Sequence, residues 1–246
     1  MVRARFYGRM GNVLFQCACA IGYALKHNIE FTVPNTTNSQ YWNPLYLQHL
    51  ISPKWEHGRE DVVLNEVKEF VFNEIEFNES WRDKQIVLNG YWQNEKYFKD
   101  YRSEILYLFD FPYEKKEGIV SVHVRRGDYL ILRDKHPYYD KEWYENAMKQ
   151  FEGYKFKFFS DDIAWCRETF GSREDCEFST NSNEIDDLVE ASCCEHHVNS
   201  SSTFSWWIAW LNRNPNKIIY TPKEWFMPGF GGLDTSDIIP PEWIKL

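Results

Sequence analysis

Zinc-binding cysteine spacing is missing from this chain. Its six cysteines, Cys17, Cys19, Cys166, Cys176, Cys193 and Cys194, form no paired C-x-x-C pattern, which excludes the common zinc folds. The G-x-G-x-x-G run of a dinucleotide-binding turn is absent too. No apolar stretch reaches the length of a membrane span, nothing at the N-terminus reads as a signal peptide, and there are no repeats or low-complexity tracts. The expected setting is therefore reducing and cytoplasmic, with Cys17 and Cys19 as buried thiols in an apolar helix. Positive charge is in deficit: the formal net charge is -9. That removes the basic footprint broad nucleic-acid binding needs, so no nucleic-acid partner is expected. The basic pairs that remain suit a small anionic ligand.

Aromatic residues, in contrast, make up 18% of the chain. Some must build the core, and others suit a polar-organic cleft, because aromatic faces stack on sugars and bases. The length, 246 residues, accommodates one large α/β domain or two small ones. The pattern begins with a strand over Val2 to Tyr7, a glycine turn Gly8-Arg9-Met10-Gly11-Asn12 and a helix over Val13 to His27, with Asn28 as C-cap. Glu30 to Val33 reads as a second strand, closed by Pro34. Loops and short helices are expected over 35–55, and one or two strands within Phe70 to Phe77. Ile86 to Trp92 reads as a strand, followed by a helix from near Glu95 to Phe109. The polar stretch Phe111 to Gly118 places a domain boundary, dividing 1–113 from 114–246, with a tail able to cross back. Beyond it, strands at Ile119–Val124, Lys155–Phe159, Glu195–Asn199 and Lys217–Tyr220 alternate with helices at Lys141–Phe151, Ile163–Phe170, Glu184–Ser192 and Phe204–Leu211. That alternation implies a parallel sheet with helices on both faces.

The stretch Ile119 to Tyr129 is the centre of this pattern. Val120, Val122 and Val124 alternate with Ser121 and His123, then the strand runs into Arg125-Arg126-Gly127-Asp128. A loop at the carboxyl end of a parallel strand is where open α/β sheets bind ligands. Guanidinium forks suit phosphate oxygens, although a basic turn paired to surface acids would look the same. Two more polar groups end neighbouring strands: Ser160-Asp161-Asp162 and Ser200-Ser201-Ser202-Thr203. The second opens a helix, whose start attracts anions; ordinary N-capping is the competing reading. Asp161 or Asp162 could bind a base edge or ribose hydroxyls, and either could instead cap the next helix. His123 reads equally as a satisfied buried histidine, and His196-His197 as structural. Trp206, Trp207 and Trp210 fall at helical spacing and read as core.

Taken in order, these residues carry a family resemblance. Gly8 to Asn12 with Phe15-Gln16, then Gly90-Tyr91-Trp92-Gln93-Asn94-Glu95-Lys96-Tyr97-Phe98, then His123-Val124-Arg125-Arg126-Gly127-Asp128-Tyr129 resemble the α1,2-fucosyltransferases of glycosyltransferase family 11. Phe159 to Asp162, Asn199 to Asn212 and Pro222 to Phe226 continue it, so the motifs span nearly the whole chain. The resemblance implies an α/β, GT-B-like fold, two Rossmann-like halves facing a cleft, the second holding the donor. It implies GDP-fucose as donor, a glycan acceptor, inversion at the anomeric carbon, and no cofactor or metal. Arg125 would hold the β-phosphate, with Arg126 beside it. Ser160 and Asp161 or Asp162 would meet the guanosine, and Ser201, Ser202, Thr203 and Phe204 the pyrophosphate and base. Asn12 would face fucose and acceptor. Asp128 is a candidate base or a lock on the arginines, and His123 a candidate for orienting the donor. The compact length and the Cys17/Cys19 pair depart from the family pattern. A fucosyltransferase of another linkage (α1,6 or protein-O) and a non-catalytic nucleotide-sugar or glycan-binding module are the alternatives.

Overall fold

The computed structural model describes residues 1–34, 47, 49–56 and 58–246. The chain is α/β and divides into two compact units. The first comprises Met1–Phe111 with Asp234–Pro240, the second Pro112–Leu233 with Pro241–Leu246. Among the described residues, no helix is long and apolar enough to cross a membrane.

In the first unit, β1 (Val2–Ala4), β3 (Ile86–Asn89) and β2 (Val62–Asn65) form a parallel sheet in the order β1-β3-β2. Helix α1 (Met10–His27) is buried nearly all round, from Met10 to Ala24. It stops because Asn28 turns left-handed at φ 50, where its N–H closes onto the carbonyls of Ala24 and Leu25. Segment 234–240 is tied to this unit through Asp237, which accepts from Lys96 at 2.7 Å and from the Phe72 N–H at 3.1 Å.

Three expectations fail here. Glu30–Val33 makes only a single bridge, Phe31 to Val2, before Pro34 removes the next donor. Phe70–Phe77 holds no strand: Phe70 turns left-handed at φ 67, and the residues after it pair with neither sheet; the strand lies at β2 instead. The helix expected from Glu95 is two single 3-10 turns, Glu95–Tyr97 and Lys99–Tyr101, before α2 (Arg102–Phe109). Phe98 interrupts it at φ -148, its ring buried edge-on to Phe15. The loops expected over 35–55 fall largely outside the described residues.

The second unit is a six-stranded, all-parallel sheet: β4 (Lys116–Val124), β5 (Lys155–Ser160), β6 (Cys176–Phe178), β7 (Cys194–Val198), β8 (Ile219–Thr221) and β9 (Ile244–Lys245), in the order β6-β5-β4-β7-β8-β9. The period-two valines of β4 pack with Phe156, Phe158 and α3 (Lys141–Met148) in one buried cluster. From the intervening positions of β4, Ser121 and His123 contact the polar side chains of His197 and Ser200. Helices α4 (Ile163–Phe170) and α5 (Glu184–Ser192) occupy the residues expected of them. Each starts at a side chain that caps it, Asp162 on the Trp165 N–H at 3.2 Å, and Asn183 on Ile185 and Asp186. Helix α6 (Thr203–Leu211) buries Trp206 and Trp207 completely and Trp210 nearly so, all three as core.

Candidate active site

Strands β5, β4 and β7 are neighbours in the sheet, so their carboxyl ends bring three of the sequence-predicted clusters together. Register pairs Val124 with Ser160 and Val122 with Val198. The residues just beyond these pairs are Arg125 to Tyr129, Asp161-Asp162 and Asn199 to Thr203.

Arg125 is the hub. Its Nη2 donates to Asp128 Oδ1 at 2.5 Å and its Nη1 pairs with Asp161 Oδ2 at 3.0 Å, leaving the side chain 16% exposed. Its guanidinium carbon lies 5.4 Å from the Tyr129 ring centre. Two carboxylates thus aim one guanidinium, a preorganised fork for an anion. Asp161 also accepts the Arg126 N–H at 2.9 Å. Gly127 is required by this close approach: a Cβ there would lie 2.5 Å from Asp161 Oδ2.

Arg126 plays a different part. Its Nε donates to Asp162 at 3.0 Å, its Nη1 to the Tyr138 hydroxyl at 3.1 Å, and its guanidinium stacks 3.9 Å over Trp165. Burial opposes its charge, but the hydrogen bonds it donates to Tyr138 and Asp162 outweigh that and raise its pKa. The guanidinium braces the loop from inside. Asp162 is structural as well, since one oxygen caps α4 and the other holds Arg126. The Asp162 N–H in turn donates to Ser160 Oγ at 2.9 Å. Of the two acids that the sequence leaves as alternatives, Asp162 is the cap and Asp161 faces Arg125.

His123 is buried beneath this edge, its Nδ1 2.8 Å from Ser200 Oγ and its ring 5.2 Å from Phe204. Burial, and secondarily the charge of Arg125, pull its pKa down to about 3, so it is neutral. Ser200 also donates its N–H to Ser205 Oγ at 3.1 Å. Ser201 donates its hydroxyl to the Glu224 carbonyl at 2.6 Å, and its own carbonyl accepts from Tyr129. These two serines therefore hold the strand-to-helix turn. Ser202 occupies the N-cap position of α6 without a side-chain capping bond, and Thr203 and Phe204 are half-buried at the helix start. The capping reading thus holds for Asp162 but not for the Ser202 side chain.

Asn12 lies in the first unit, at the third residue of α1. Its Oδ1 accepts from Gln93 at 3.2 Å, and Gly8, at φ +73, has room for nothing larger, because a Cβ would lie 2.3 Å from Asn12 Nδ2. His197 is fully buried between Ser121 and Asn212, each at 2.6 Å, and His196 reaches Tyr154. Both are structural, as their lack of metal spacing indicated. Cys17 and Cys19 are buried free thiols, their pKa values pushed up by burial. Sequence reasoning missed Tyr138 and Trp165, the partners of Arg126, and Glu224. Tyr138 and Trp165 are aromatic residues near a motif arginine, a usable if weak signal. Glu224 acts through its backbone carbonyl, which no sequence pattern reveals.

Comparison with known proteins adds the following. The sequence profile of the family described as glycosyl transferase family 11 matches residues 109–246. An Escherichia coli alpha-1,2-colitosyltransferase is 30% identical over 179 residues, covering 64% of this chain and 61% of that protein. The mouse (Mus musculus) galactoside 2-alpha-L-fucosyltransferase Sec1 is 30% identical over 138 residues, covering 46% of this chain and 38% of that one. The chain thus spans less than two thirds of the length of these relatives. Among solved structures, POFUT1 in complex with GDP-fucose aligns over 89% of this chain and 96% of its own, at 12% identity and a TM-score of 0.48.

Proposed function

Because the chain belongs to glycosyl transferase family 11, we propose that it moves fucose from GDP-fucose to a hydroxyl of an acceptor sugar, α1,2 to a galactose-type residue. The observation that carries this reading is Arg125, held by Asp128 and Asp161 at the sheet edge on which α6 begins. In the reaction the bond from fucose C1 to the β-phosphate oxygen breaks. The acceptor oxygen bonds to C1 from the opposite face, with inversion, and its proton passes to solvent water as GDP departs. Positive charge develops on the sugar and negative charge on the β-phosphate. Arg125 and the amide end of α6, at Ser202 and Thr203, stabilise the departing GDP. Arg126, Asp162, Ser160 and Ser201 keep that frame in place, while Phe204 and Asp161 border the donor. Asp128 is assigned to aiming Arg125 rather than to taking the proton, because its Oδ1 is engaged there. Neutral, buried His123 supports the turn at Ser200 and orients the donor through it. Asn12 is assigned to fucose and acceptor.

With guanidinium and helix meeting the leaving-group charge, transfer needs no divalent metal. The 30%-identical colitosyltransferase favours one second reading, a colitosyl in place of a fucosyl donor. Turnover of GDP-fucose and GDP-colitose against a panel of acceptor sugars, with and without EDTA, tests all of this. The expected outcome is fucose transfer to a galactoside that survives chelation. Transfer of colitose alone supports the second reading, and no turnover with any pair defeats both. Complete loss in EDTA, restored by magnesium or manganese, would falsify the arginine-and-helix account of leaving-group stabilisation.

A further inference from the structure

A second polar edge lies in the first unit, and the donor chemistry makes no use of it. Tyr7, three residues past β1, donates its hydroxyl to Asn89 Oδ1 at 2.6 Å. Asn89 Nδ2 in turn donates to Asn65 Oδ1 at 2.7 Å. Asn89 closes β3 and Asn65 closes β2, so the chain of hydrogen bonds crosses the whole β1-β3-β2 sheet at its carboxyl end, the edge on which open parallel sheets bind ligands. Tyr91 adds a second ring 6.2 Å from that of Tyr7.

Buried groups hold this edge rigid. Gln16, fully buried in α1, accepts the Tyr7 N–H at 2.9 Å and donates to the Tyr7 carbonyl at 3.3 Å, clamping that peptide on both sides. Glu66 accepts the N–H groups of Tyr91 and Trp92 at 2.7 and 3.1 Å. Gly90 makes room for Glu66, whose Cβ would meet an added Cβ at 2.4 Å. Trp92 (φ 55) and Phe70 (φ 67), whose ring stacks on Tyr91, are both left-handed non-glycine residues. Such left-handed backbone is strained for a side-chain-bearing residue, and strain of this kind gathers at ligand sites. Yet Tyr7 is 39% exposed and Asn65 is exposed too. Water could satisfy the same groups, so the ladder itself contributes little stability. Its rigidity needs another cause.

The chemistry of the edge narrows the ligand. A phenol and two carboxamides carry no net charge. The nearby Arg5 hydrogen-bonds the Tyr7 side chain as well as Glu60, but its ion pair with Glu60 already meets its charge, and the Glu66 carboxylate, adjacent to Asn65, disfavours an anion. Amides present donors and acceptors side by side, which matches vicinal hydroxyls, and the tyrosine rings suit the apolar face of a pyranose. We propose that Tyr7, Asn65, Asn89 and Tyr91 bind a neutral hexose unit of a glycan. That this hexose belongs to the acceptor rests on the glycosyl-transfer reading above; that it binds at this edge does not.

The test is donor-free binding of methyl galactosides, methyl glucosides and lactose to the full chain, by saturation-transfer NMR and calorimetry. Wild type is compared with Asn65→Ala, Tyr7→Phe and Asn89→Ala, and GDP titration and melting temperature serve as controls. Asn65→Ala and Tyr7→Phe should each weaken the bound hexoside about tenfold, the loss of one or two hydrogen bonds, with GDP affinity unchanged. Asn65 is exposed, so its variant decides the matter even if Asn89→Ala fails to fold. Undiminished hexoside affinity in Asn65→Ala and Tyr7→Phe, or no hexoside binding by wild type, overturns the proposal. Weakened binding in a chain that turns over no nucleotide sugar would leave this site standing and defeat the transferase reading alone.

Discussion

Replacing Gly127 by alanine should loosen the arginine cluster without removing any charged group. The new Cβ would lie 2.5 Å from Asp161 Oδ2 and 3.4 Å from its Cγ. Side-chain carbons do not approach a carboxylate oxygen that closely, so the carboxylate has to swing away. The displaced oxygen is the one paired with Arg125 at 3.0 Å, and its twin holds the Arg126 N–H at 2.9 Å. Losing one charge-assisted hydrogen bond of this kind costs about 1.5–3 kcal/mol. In a chain of this size each kcal/mol is worth about 2–4 °C of melting temperature, so the midpoint should fall by roughly 3–12 °C. GDP affinity should fall about tenfold as Arg125 loses one of its two guides. The assay is thermal melting plus calorimetric GDP titration of Gly127→Ala, Asp161→Ala and the double variant. Because Asp161→Ala removes the atoms that Cβ would strike, the double variant should resemble Asp161→Ala rather than the sum of the two. A silent Gly127→Ala, or strictly additive losses, would refute the account of Asp161 as the group that aims Arg125.

Arg125→Ala should lower turnover about a hundredfold or more with an unchanged circular dichroism spectrum, since the guanidinium meets charge that grows in the transition state; near-wild-type rates remove it from the site. The double change Ser202→Ala/Thr203→Ala should weaken GDP binding in calorimetry, whereas Asn12→Ala should spare GDP and damage transfer; equal loss of GDP affinity in both would break that division of labour. Acid should destabilise the fold through His123: its folded pKa of about 3 lies below the ordinary 6.5, so its contribution is complete above pH 6.5 and lost as pH falls towards 3. The full loss is roughly 5 kcal/mol, and His123→Gln should flatten the pH dependence of denaturant midpoints across that window.

Much of the second unit is legible in the sequence because its determinants are local. The valine alternation of 120–124 depends only on neighbours two residues apart, and it became the central strand β4. Helices α4 and α5 begin where Asp162 and Asn183 can reach the next turn, a contact within three residues. The short strands β6 and β9 gave no such signal. Both lie at the edges of their sheet, and three or two residues are strand only because a partner pairs with them. The first unit was harder for the same reason, since Glu30–Val33 has the composition of a strand but makes a single bridge.

The candidate site divides along the same line. Which residue types gather at the sheet edge followed from the sequence, because each motif ends a strand or opens a helix, and parallel strands put those ends on one side. The roles within the cluster did not follow. Arg125 and Arg126 are adjacent and chemically identical, as are Asp161 and Asp162. Their division into an ion pair at the sheet edge and an inner brace depends on which side chains surround each guanidinium: Tyr138 and Trp165 around one, Asp128 and Asp161 around the other. The polar edge formed by Tyr7, Asn65 and Asn89 draws on positions up to 82 residues apart. Sequence spacing over that distance carries no information about contact, and only strand register, set by backbone hydrogen bonding and the packing of α1, placed them side by side.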